Sequence, residues 1–231
     1  MALPERRALQ RASIVGPVFW DDVLARIDPG SLAQLPAVQR RGMLMARPDS
    51  AFEGTRELSF QHHLLHQVTY DTVLKPDKRS GHATAASWLA ERVGDRQAEY
   101  LAITAEHYER AGDHVRALAW FDRAYEAAEQ RYANQAALDF VARILAMPHL
   151  TNPAERFKQL TRQRDLADLS GQRALQRAAN DAIEALAVAE QRADWLCSVA
   201  ANRALLHDRL GEREDFGALI LICETRRGRV Q

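Results

Sequence analysis

EYLAITAEHYERAGDHVRALAWFDRAYEAAEQ, residues Glu99–Gln130, is the stretch that decides the fold, because it predicts two helices joined by a tight turn. Gly112 can adopt the left-handed conformation that ends a helix, and Asp113 can begin the next one. Small residues stand where the two helices must approach closely, and large residues fill the space between them; the small ones are Ala105, Ala117 and Ala124, and the large ones are Leu101, Tyr108 and Phe121. The stretch therefore predicts a self-packing helical hairpin.

This hairpin resembles one tetratricopeptide repeat, a family that places small and large residues at fixed points along about 34 residues. The six residues above stand at the family's spacing, and Gly112 is the usual glycine after the first helix. The usual closing proline is replaced by Glu129. A generic antiparallel helix pair remains the alternative interpretation.

The chain after this hairpin predicts further helix pairs. Asn152 is a strong N-cap with Pro153 in the first turn, and breaks fall at Ser170-Gly171, near Ala193-Asp194 and at Gly211-Glu212. Gln176 and Asn180 stand where the repeat pattern wants an aromatic or small residue, so these pairs are interpreted as divergent repeats of an α-solenoid. The strongly apolar 216–223, FGALILIC, lacks a following helix, so either it docks on the chain itself or, as we expect, the repeat array is incomplete at its C-terminus.

The chain before the hairpin predicts three short helices and a two-stranded wing, the elements of a winged helix. Val15–Trp20 is interpreted as an apolar turn that places Phe19 and Trp20 in the core. The expected elements are helices at Pro4–Ile14, Asp21–Ile27 and Leu32–Arg41, strands at Met43–Arg47 and Arg56–Phe60, and further helices at Gln61–Leu74 and Ser80–Val93.

The sequence thus predicts a mainly α protein with two domains. Residues 1–96 form a winged-helix-like head with a short β-hairpin, and residues 97–231 form a tetratricopeptide-like α-solenoid. Gly94-Asp95 marks the boundary. In the second part of the head, apolar residues at Leu64, Leu65 and Val68 predict an amphipathic helix that Pro76 ends.

Composition excludes several classes of protein. The 31 Lys and Arg residues balance the 31 Asp and Glu residues, which is not typical of a nucleic-acid module. Cys197 and Cys223 are too few for a disulfide framework and suggest reduced core residues. The N-terminus lacks the apolar core of a signal peptide, and no apolar run approaches the roughly 20 residues that cross a bilayer. We therefore expect a cytoplasmic protein with no membrane partner.

Three stretches in succession resemble one multidomain arrangement. They are LQRASIVGPVFW (Leu9–Trp20), LSFQHHLLHQVTYDTVLK (Leu58–Lys75) and HYERAGDHVRALAWFDRA (His107–Ala124). Together they are similar to the region that follows the nucleotide-binding domain in signal-transduction ATPases with numerous domains. The nearest subgroup is the set of bacterial proteins in which a class III adenylate/guanylate cyclase domain precedes the ATPase.

The resemblance implies a regulatory role and a nucleotide-sensing residue. In such ATPases a winged-helix histidine can contact the β-phosphate of bound ADP, and Phe60-Gln61-His62 matches that place, so His62 is the candidate. The related eukaryotic pattern has Asp where this chain has His63. The alternative for His62 is that it caps or packs at the start of its helix. ATP or ADP is expected only if an upstream ATPase domain is supplied.

The chain itself is expected not to be an enzyme. A phosphate-cradling loop needs two glycines five positions apart followed by Lys and Ser or Thr, and no two of the 11 glycines have that spacing. The aspartates of a cyclase domain have no recognisable setting either. We therefore assign no catalytic residues, no metal site and no cofactor to this chain.

Two other patterns suggest different chemistry. His62 and His66 share one face of a helix as zinc ligands do, but the intervening Glu and a third ligand are missing. A winged helix can also bind DNA. Leu32–Arg41 would then be the recognition helix; the arginines near phosphates would be Arg40, Arg41, Arg47 and Arg56. The nearly balanced local charge disfavours DNA binding.

The first helix of a tetratricopeptide hairpin lines the concave groove. Its predicted groove residues are Glu99, Glu106, Glu109 and Arg110. A mostly acidic groove favours a basic or amphipathic protein segment, while a solvated helix face is the alternative. Three hypotheses follow: a non-catalytic module that relays nucleotide or partner state to an effector such as a cyclase, a free-standing tetratricopeptide adaptor, and a winged-helix DNA-binding regulator.

Overall fold

A computed structural model describes residues 1–93 and 98–210 of the chain, with side chains described except at 98 and 207–210. The described residues are mainly helical and include one small three-stranded sheet. By packing, the chain divides into two units, Met1–Arg123 and Ala124–Gln231. This division is based on packing and falls within one helix. It does not test the predicted domain boundary between residues 96 and 97, which stays a prediction.

The first unit begins with alternating short helices and strands. In chain order these elements, called the head below, are α1 (Leu3–Val15), β1 (Val18–Trp20), α2 (Asp21–Ile27), a 3₁₀ turn (Pro29–Gln34), α3 (Leu35–Arg40), β2 (Leu44–Ala46), β3 (Glu57–Phe60), α4 (His63–Asp71) and α5 (Lys75–Arg92). Two further helices follow, α6 (Ala98–Ala111) and α7 (His114–Gln130).

The sheet has the order β1-β3-β2, with both pairs antiparallel. The prediction of a two-stranded wing was incomplete, because Val18–Trp20, interpreted as part of a turn, is a third strand. Val18 pairs with Ser59 and Trp20 with Glu57. The core position of Phe19 and Trp20 is confirmed, since both side chains are buried.

Three helices of the head differ from their predictions, two of them in extent and one in burial. The segment predicted as one helix from Leu32 to Arg41 is a 3₁₀ turn followed by α3. Pro76 does not end a helix but stands in the first turn of α5, where its missing N–H costs nothing. On α4, Leu64 and Val68 are exposed although the pattern placed them on a buried face.

The α6–α7 hairpin begins and ends as the sequence predicts. Gly112 has φ +81°, and Asp113 Oδ1 accepts the backbone N–H of Arg116 at 3.0 Å, which caps α7. All six of the small and large residues singled out above are buried. The hairpin itself is therefore confirmed.

The core of the first unit joins elements that are far apart in sequence. Ile14 of α1 lies directly against Gly81 of α5, where an added Cβ would stand 2.9 Å from two of the Ile14 side-chain carbons. Trp88 of α5 is fully buried. Close α1–α5 packing thus depends on a glycine in the middle of a helix.

The second unit consists of the end of α7 and four further helices with turns between them. Up to residue 210, where the described part of this unit ends, these helices are α8 (Asn134–Leu145), α9 (Pro153–Leu169), α10 (Arg173–Ala189) and α11 (Ala193–Leu210). The Asn152 cap is confirmed, because its side-chain oxygen accepts the backbone N–H groups of Ala154 and Glu155. One apolar cluster contains Leu160, Ile183 and Val199, one residue each from α9, α10 and α11.

Left-handed residues recur in the turns of the second unit. They are Tyr132 after α7 (φ 55°), Gly171 after α9 (φ 68°) and Gln191 after α10 (φ 55°). Cys197 is half-buried. Several predictions lie outside the described residues, namely the boundary at Gly94-Asp95, the break at Gly211-Glu212, the apolar stretch 216–223 and the core position of Cys223.

Candidate functional site

A pocket of about 470 Å³ lies in the first unit between α6 and the corner where α1 leads into β1. Gly16, Pro17 and Val18 form one wall. The opposite wall is α6, and His66 and Tyr70 of α4 also line the pocket. Its volume is within the range of about 300–1,000 Å³ that is typical of ligand pockets. We call it the α6 pocket.

Three of the four predicted groove residues line this pocket: Glu99, Glu106 and Arg110. They share one side of α6 with Ile103, whose side chain is 38% exposed. Arg110 Nη2 lies 3.7 Å from Glu106 Oε2. The structure thus brings these charges together around one exposed apolar residue, whereas Glu109 is not among the lining residues.

The carboxylate of Glu57 lies in the same pocket and is almost fully buried. It accepts hydrogen bonds from Trp20 Nε1 at 3.0 Å and from the backbone N–H of Ala51 at 3.0 Å, and it pairs with Arg47 at 2.9 Å. A buried carboxylate is tolerated when it is paired and hydrogen-bonded. Glu57 therefore holds strand β1, the loop after β2 and Arg47 together.

Four aromatic residues, called the aromatic cluster below, pack beside Glu57. They are Trp20, Phe52, Trp88 and Tyr100, with ring centroids 4.8–5.7 Å apart. Phe52 belongs to the loop between β2 and β3, and Tyr100 belongs to α6. Burial, followed by Glu99 and Glu57, raises the pKa of Tyr100. The cluster fixes that loop to α5 and α6.

A chain of hydrogen bonds runs under the α6 pocket through two histidines. Tyr70 Oη lies 2.8 Å from His82 Nε2, and His82 Nδ1 lies 2.8 Å from His107 Nδ1. His107 also bonds the backbone carbonyl of Val15, which only a ring N–H can do. We call this series, from Tyr70 through His82 and His107 to Val15, the imidazole chain.

The direction of each bond follows from that last contact. Because Nδ1 of His107 faces His82, Nε2 is the ring nitrogen left to donate to the carbonyl of Val15, and the neutral ring then has only an acceptor at Nδ1. His82 must then donate from Nδ1, which leaves its Nε2 to accept the hydroxyl proton of Tyr70. With both rings neutral, one arrangement of protons therefore satisfies the whole imidazole chain.

Burial keeps both rings in that neutral form. Burial, together with the smaller effects of the nearby His107, Arg110 and Lys78, lowers the pKa of His82 to about 3. Burial also lowers the pKa of His107 to about 4, with Arg110 acting in the same direction and the bond to Val15 opposing it. At neutral pH the pair is a structural connection between helices and carries no charge.

The carbonyl end of α1 receives a second histidine. His66 Nε2 lies 3.0 Å from the carbonyl oxygen of Ser13 and donates to it, while burial lowers the pKa of His66. The last carbonyls of a helix have no partner inside the helix. Here His66 from α4 and His107 from α6 supply those partners, so both helices are held at the end of α1.

The roles of His82 and His107 are not predicted from the sequence, although one signal is present. His82, Ala85, Ala86 and Leu89 stand at i, i+3, i+4 and i+7, the spacing of a buried helix face, and all four are buried. A histidine on such a face needs a buried hydrogen-bond partner. No property of the sequence shows that the partner is His107.

His62 lies at the surface, at the residue just before α4. Its side chain is exposed and makes no capping hydrogen bond. Neither capping nor packing therefore accounts for His62, and its proposed contact with a nucleotide stays a prediction.

The arginines considered for DNA binding mostly have carboxylate partners. Arg41 pairs with Glu5 at 3.3 Å, Arg47 with Glu57 at 2.9 Å and Arg56 with Asp21 at 2.7 Å. Arg40 is exposed. Phosphates would have to compete with these carboxylates for three of the four arginines.

Metal-ion sites and membrane-spanning helices are two further classes of feature. Residues 1–93 and 98–210 contain no group of three or more His, Cys, Asp or Glu residues placed to hold a metal ion. Within the same residues, no helix combines the length and the apolar character needed to cross a bilayer.

Buried polar residues also join the helices of the second unit. Asn202 Oδ1 accepts hydrogen bonds from Asn180 at 3.0 Å and Gln176 at 3.3 Å, and Arg164 donates to Ser198 at 3.0 Å. The amides of Gln176 and Asn180 thus connect α10 to α11.

Comparison of the chain with protein-family models, with curated proteins and with solved structures found no match in any of the three.

Proposed function

We propose that the chain is a non-catalytic regulatory module that binds a protein partner in the α6 pocket. The observation that carries this proposal is that three residues predicted to contact a partner, Glu99, Glu106 and Arg110, line one pocket around the exposed Ile103. Protein interfaces have an apolar centre and a polar rim, and Ile103 with the charged residues around it fits that arrangement.

The finer fold assignment belongs to the same proposal. The order of helices and strands from α1 to β3 supports a winged helix, with β1 as an additional strand beside the predicted wing. The buried α6–α7 hairpin and the helix pairs after it support tetratricopeptide-like repeats. On this assignment, α6 is the first repeat helix and one wall of the pocket.

The carboxylates of the pocket favour a partner segment with basic and apolar side chains. Arg47 and Arg110 each have a carboxylate beside them, and Glu99 adds a further negative charge. With neutral histidines, the five charged lining residues sum to one net negative charge. Charge complementarity of this kind affects the rate of association and the choice of partner more than it affects affinity.

The experiment compares two synthetic 12-residue peptides that alternate apolar residues with either Lys or Glu. We expect the Lys peptide to bind the full chain more tightly, with an affinity that falls as salt is added. The double variant Glu99→Gln/Glu106→Gln should weaken binding by about three- to tenfold, as expected for charges at the rim of an interface. Fluorescence anisotropy measures the dissociation constants.

Glu109→Gln is the matched control, because Glu109 lies on α6 but does not line the pocket. It should bind the Lys peptide like the unaltered chain. Equal affinity for the two peptides, or no change in the double variant, would contradict the proposal.

The resemblance to signal-transduction ATPases supports a wider role for this module. We propose that the chain relays nucleotide or partner state to an effector, and that His62 contacts the phosphate of ADP in a nucleotide-binding domain of the same protein. The exposed position of His62 leaves its imidazole accessible for such a contact. ADP affinity of the ATPase domain joined to this chain should fall in His62→Ala and not in His63→Ala.

Two other functions have weaker support. A free-standing tetratricopeptide adaptor would bind the same peptide without any dependence on nucleotide. A DNA-binding regulator is disfavoured by the carboxylate partners of Arg41, Arg47 and Arg56. A gel shift that weakens steeply with salt would support DNA binding.

A further inference from the structure

We propose that the imidazole chain is an acid-sensitive latch that fastens α6 to the head: it holds the helix while both histidines are neutral and releases it when they take up protons. This inference concerns how the wall of the α6 pocket is held and does not depend on which partner binds there.

The imidazole chain connects four helices at one place. Tyr70 belongs to α4, His82 to α5, His107 to α6 and Val15 to α1. His107 is 4% exposed and His82 is 1% exposed, so water does not replace a lost partner. A break in the imidazole chain therefore leaves buried polar groups unpaired, and moving α6 away from the head exposes them to water again.

Added protons first charge the buried pair and then disrupt the chain. After one proton is added, His107 Nδ1–H can donate to His82 Nδ1 across 2.8 Å and His82 Nε2–H can donate to Tyr70 Oη, so the hydrogen bonds reverse direction and a positive charge is buried. A second proton places two Nδ1–H groups face to face, and two donors cannot form a hydrogen bond. The neutral pair accommodates one proton between the two Nδ1 atoms and no more.

The groups around the pair oppose a positive charge there. Lys78 of α5 lies 4.2 Å above the ring of Tyr70, and Arg110 of α6 acts on both imidazoles. From α4, His66 lies beside Tyr70, and from α1 the carbonyl of Val15 faces His107. Only that carbonyl, at the negative end of the α1 dipole, favours a protonated ring.

The stability of the latched state falls as the pH falls. Histidine has an ordinary pKa of 6.5, whereas the latched pair has pKa values of about 3 and about 4. Between pH 6.5 and about 4 the released state therefore binds protons that the latched state does not. The latch has its full stability above pH 6.5 and loses it as the pH falls.

The test is hydrogen–deuterium exchange of the full chain from pH 7.5 to 4.5, corrected for the intrinsic exchange rate. Each proton bound only by the released state changes the protection factor about tenfold per pH unit. Protection of α6 in the unaltered chain should thus fall with a slope that approaches about two decades per pH unit. Protection of α9 and α10 is the internal reference and should change less.

His107→Gln is the informative variant, because its amide can donate to Val15 and accept from His82 but cannot be protonated. In this variant the protection of α6 should fall with a slope that approaches about one decade per pH unit. His63→Gln removes an exposed histidine on α4 and should retain the slope of the unaltered chain. An unaltered slope in His107→Gln, or equal slopes for α6 and α9, would overturn the proposal.

A second measurement uses the unaltered chain and does not depend on the folding of a variant. Nitrogen-15 spectra of the imidazoles should show His82 protonated at Nδ1 and His107 protonated at Nε2, with neither ring titrating above pH 5.5 while α6 remains protected. A ring that titrates near pH 6.5 with α6 still protected would overturn the latch.

Discussion

Each of the two units is stabilised by its own internal contacts, and these contacts differ in their range in sequence. In the first unit, Asp22 accepts hydrogen bonds from Trp88 and Arg92, which lie 66 and 70 positions away. In the second unit, Arg164 reaches Ser198 across 34 positions and Asn180 reaches Asn202 across 22. Long-range contacts make a unit cooperative, whereas stacked neighbouring helices can open locally.

The aromatic residues show the same difference. Trp88 lies in the aromatic cluster, which joins β1, the loop after β2, α5 and α6. Trp195 of α11 stacks on Phe157 of α9 with ring centroids 4.3 Å apart. Trp88 therefore belongs to a cluster that connects four elements of the first unit, whereas Trp195 connects α11 to α9.

The largest expected effect comes from removing these two tryptophans. Trp88→Ala should destabilise the first unit by about 3–5 kcal/mol, because it creates a cavity and leaves Asp22 without a partner from the indole. Trp195→Ala is the matched variant, and its effect should remain within α9–α11. Urea unfolding measures the loss, and hydrogen exchange shows its extent. Local loss of protection around residue 88 alone would contradict the comparison.

Gly81→Ala tests the packing of α1 on α5. Alanine gains about 1 kcal/mol as a helix former, but overpacking against Ile14 should cost about 1–3 kcal/mol, so we expect a net loss of stability. Ile14→Val removes one of the two crowded carbons and should restore part of the loss. Thermal unfolding of the single and double variants measures both effects.

Gly171→Ala is the corresponding change in the second unit. No atom lies within 4 Å of the added Cβ, so any loss comes from the backbone at φ +68°. We expect that no substitution of a neighbouring side chain restores the stability of Gly171→Ala. If the effects of Gly81→Ala and Ile14→Val on the free energy of unfolding simply add, the packing argument is wrong.

Asp22→Ala removes an acceptor that two donors share. Trp88 Nε1 lies 2.7 Å and Arg92 Nη2 lies 2.6 Å from Asp22 Oδ2. Leaving the buried indole N–H unpaired should cost about 1–2 kcal/mol. In the second unit, Asp194→Ala in the first turn of α11 breaks an exposed ion pair with Arg192. This change should cost less, about 0.5 kcal/mol. Urea midpoints compare the two variants, and equal shifts would contradict this difference.

The smallest effects concern the turns of the second unit. Gln191 adopts φ 55° and Gly171 adopts φ 68° at comparable places after their helices. Gln191→Gly should stabilise the chain and Gly171→Gln should destabilise it, each by about 1 kcal/mol, because only glycine adopts this conformation without steric cost. Thermal unfolding measures both changes, and shifts of the same sign would show that the side chains matter more than the backbone.

Much of the helical framework could be predicted from residue types at fixed spacing. The α6–α7 hairpin, the Asn152 cap and the break at Gly171 follow from local rules about small residues, capping side chains and glycine. Strand β1 could not be predicted, because three residues are too few to show an alternating pattern. The exposure of Leu64 and Val68 could not be predicted either, since periodicity identifies an apolar face but not what covers it.

The candidate site was predicted in part for the same reason. Spacing placed Glu99, Glu106 and Arg110 on one side of α6, and this is independent of the rest of the chain. The pairing of Arg47 with Glu57 and of His82 with His107 depends on how separate elements meet.

For the α6–α7 hairpin and the start of α9, the sequence by itself determined where helices begin and end, because capping and turn chemistry act between residues within about four positions of each other. It also determined that α6 and α7 pack as a pair. Only the tertiary structure decided that α6 faces the corner between α1 and β1, and that two histidines 25 positions apart share one proton. The physical reason is that burial and a partner across space, which no local pattern encodes, set the protonation of a histidine.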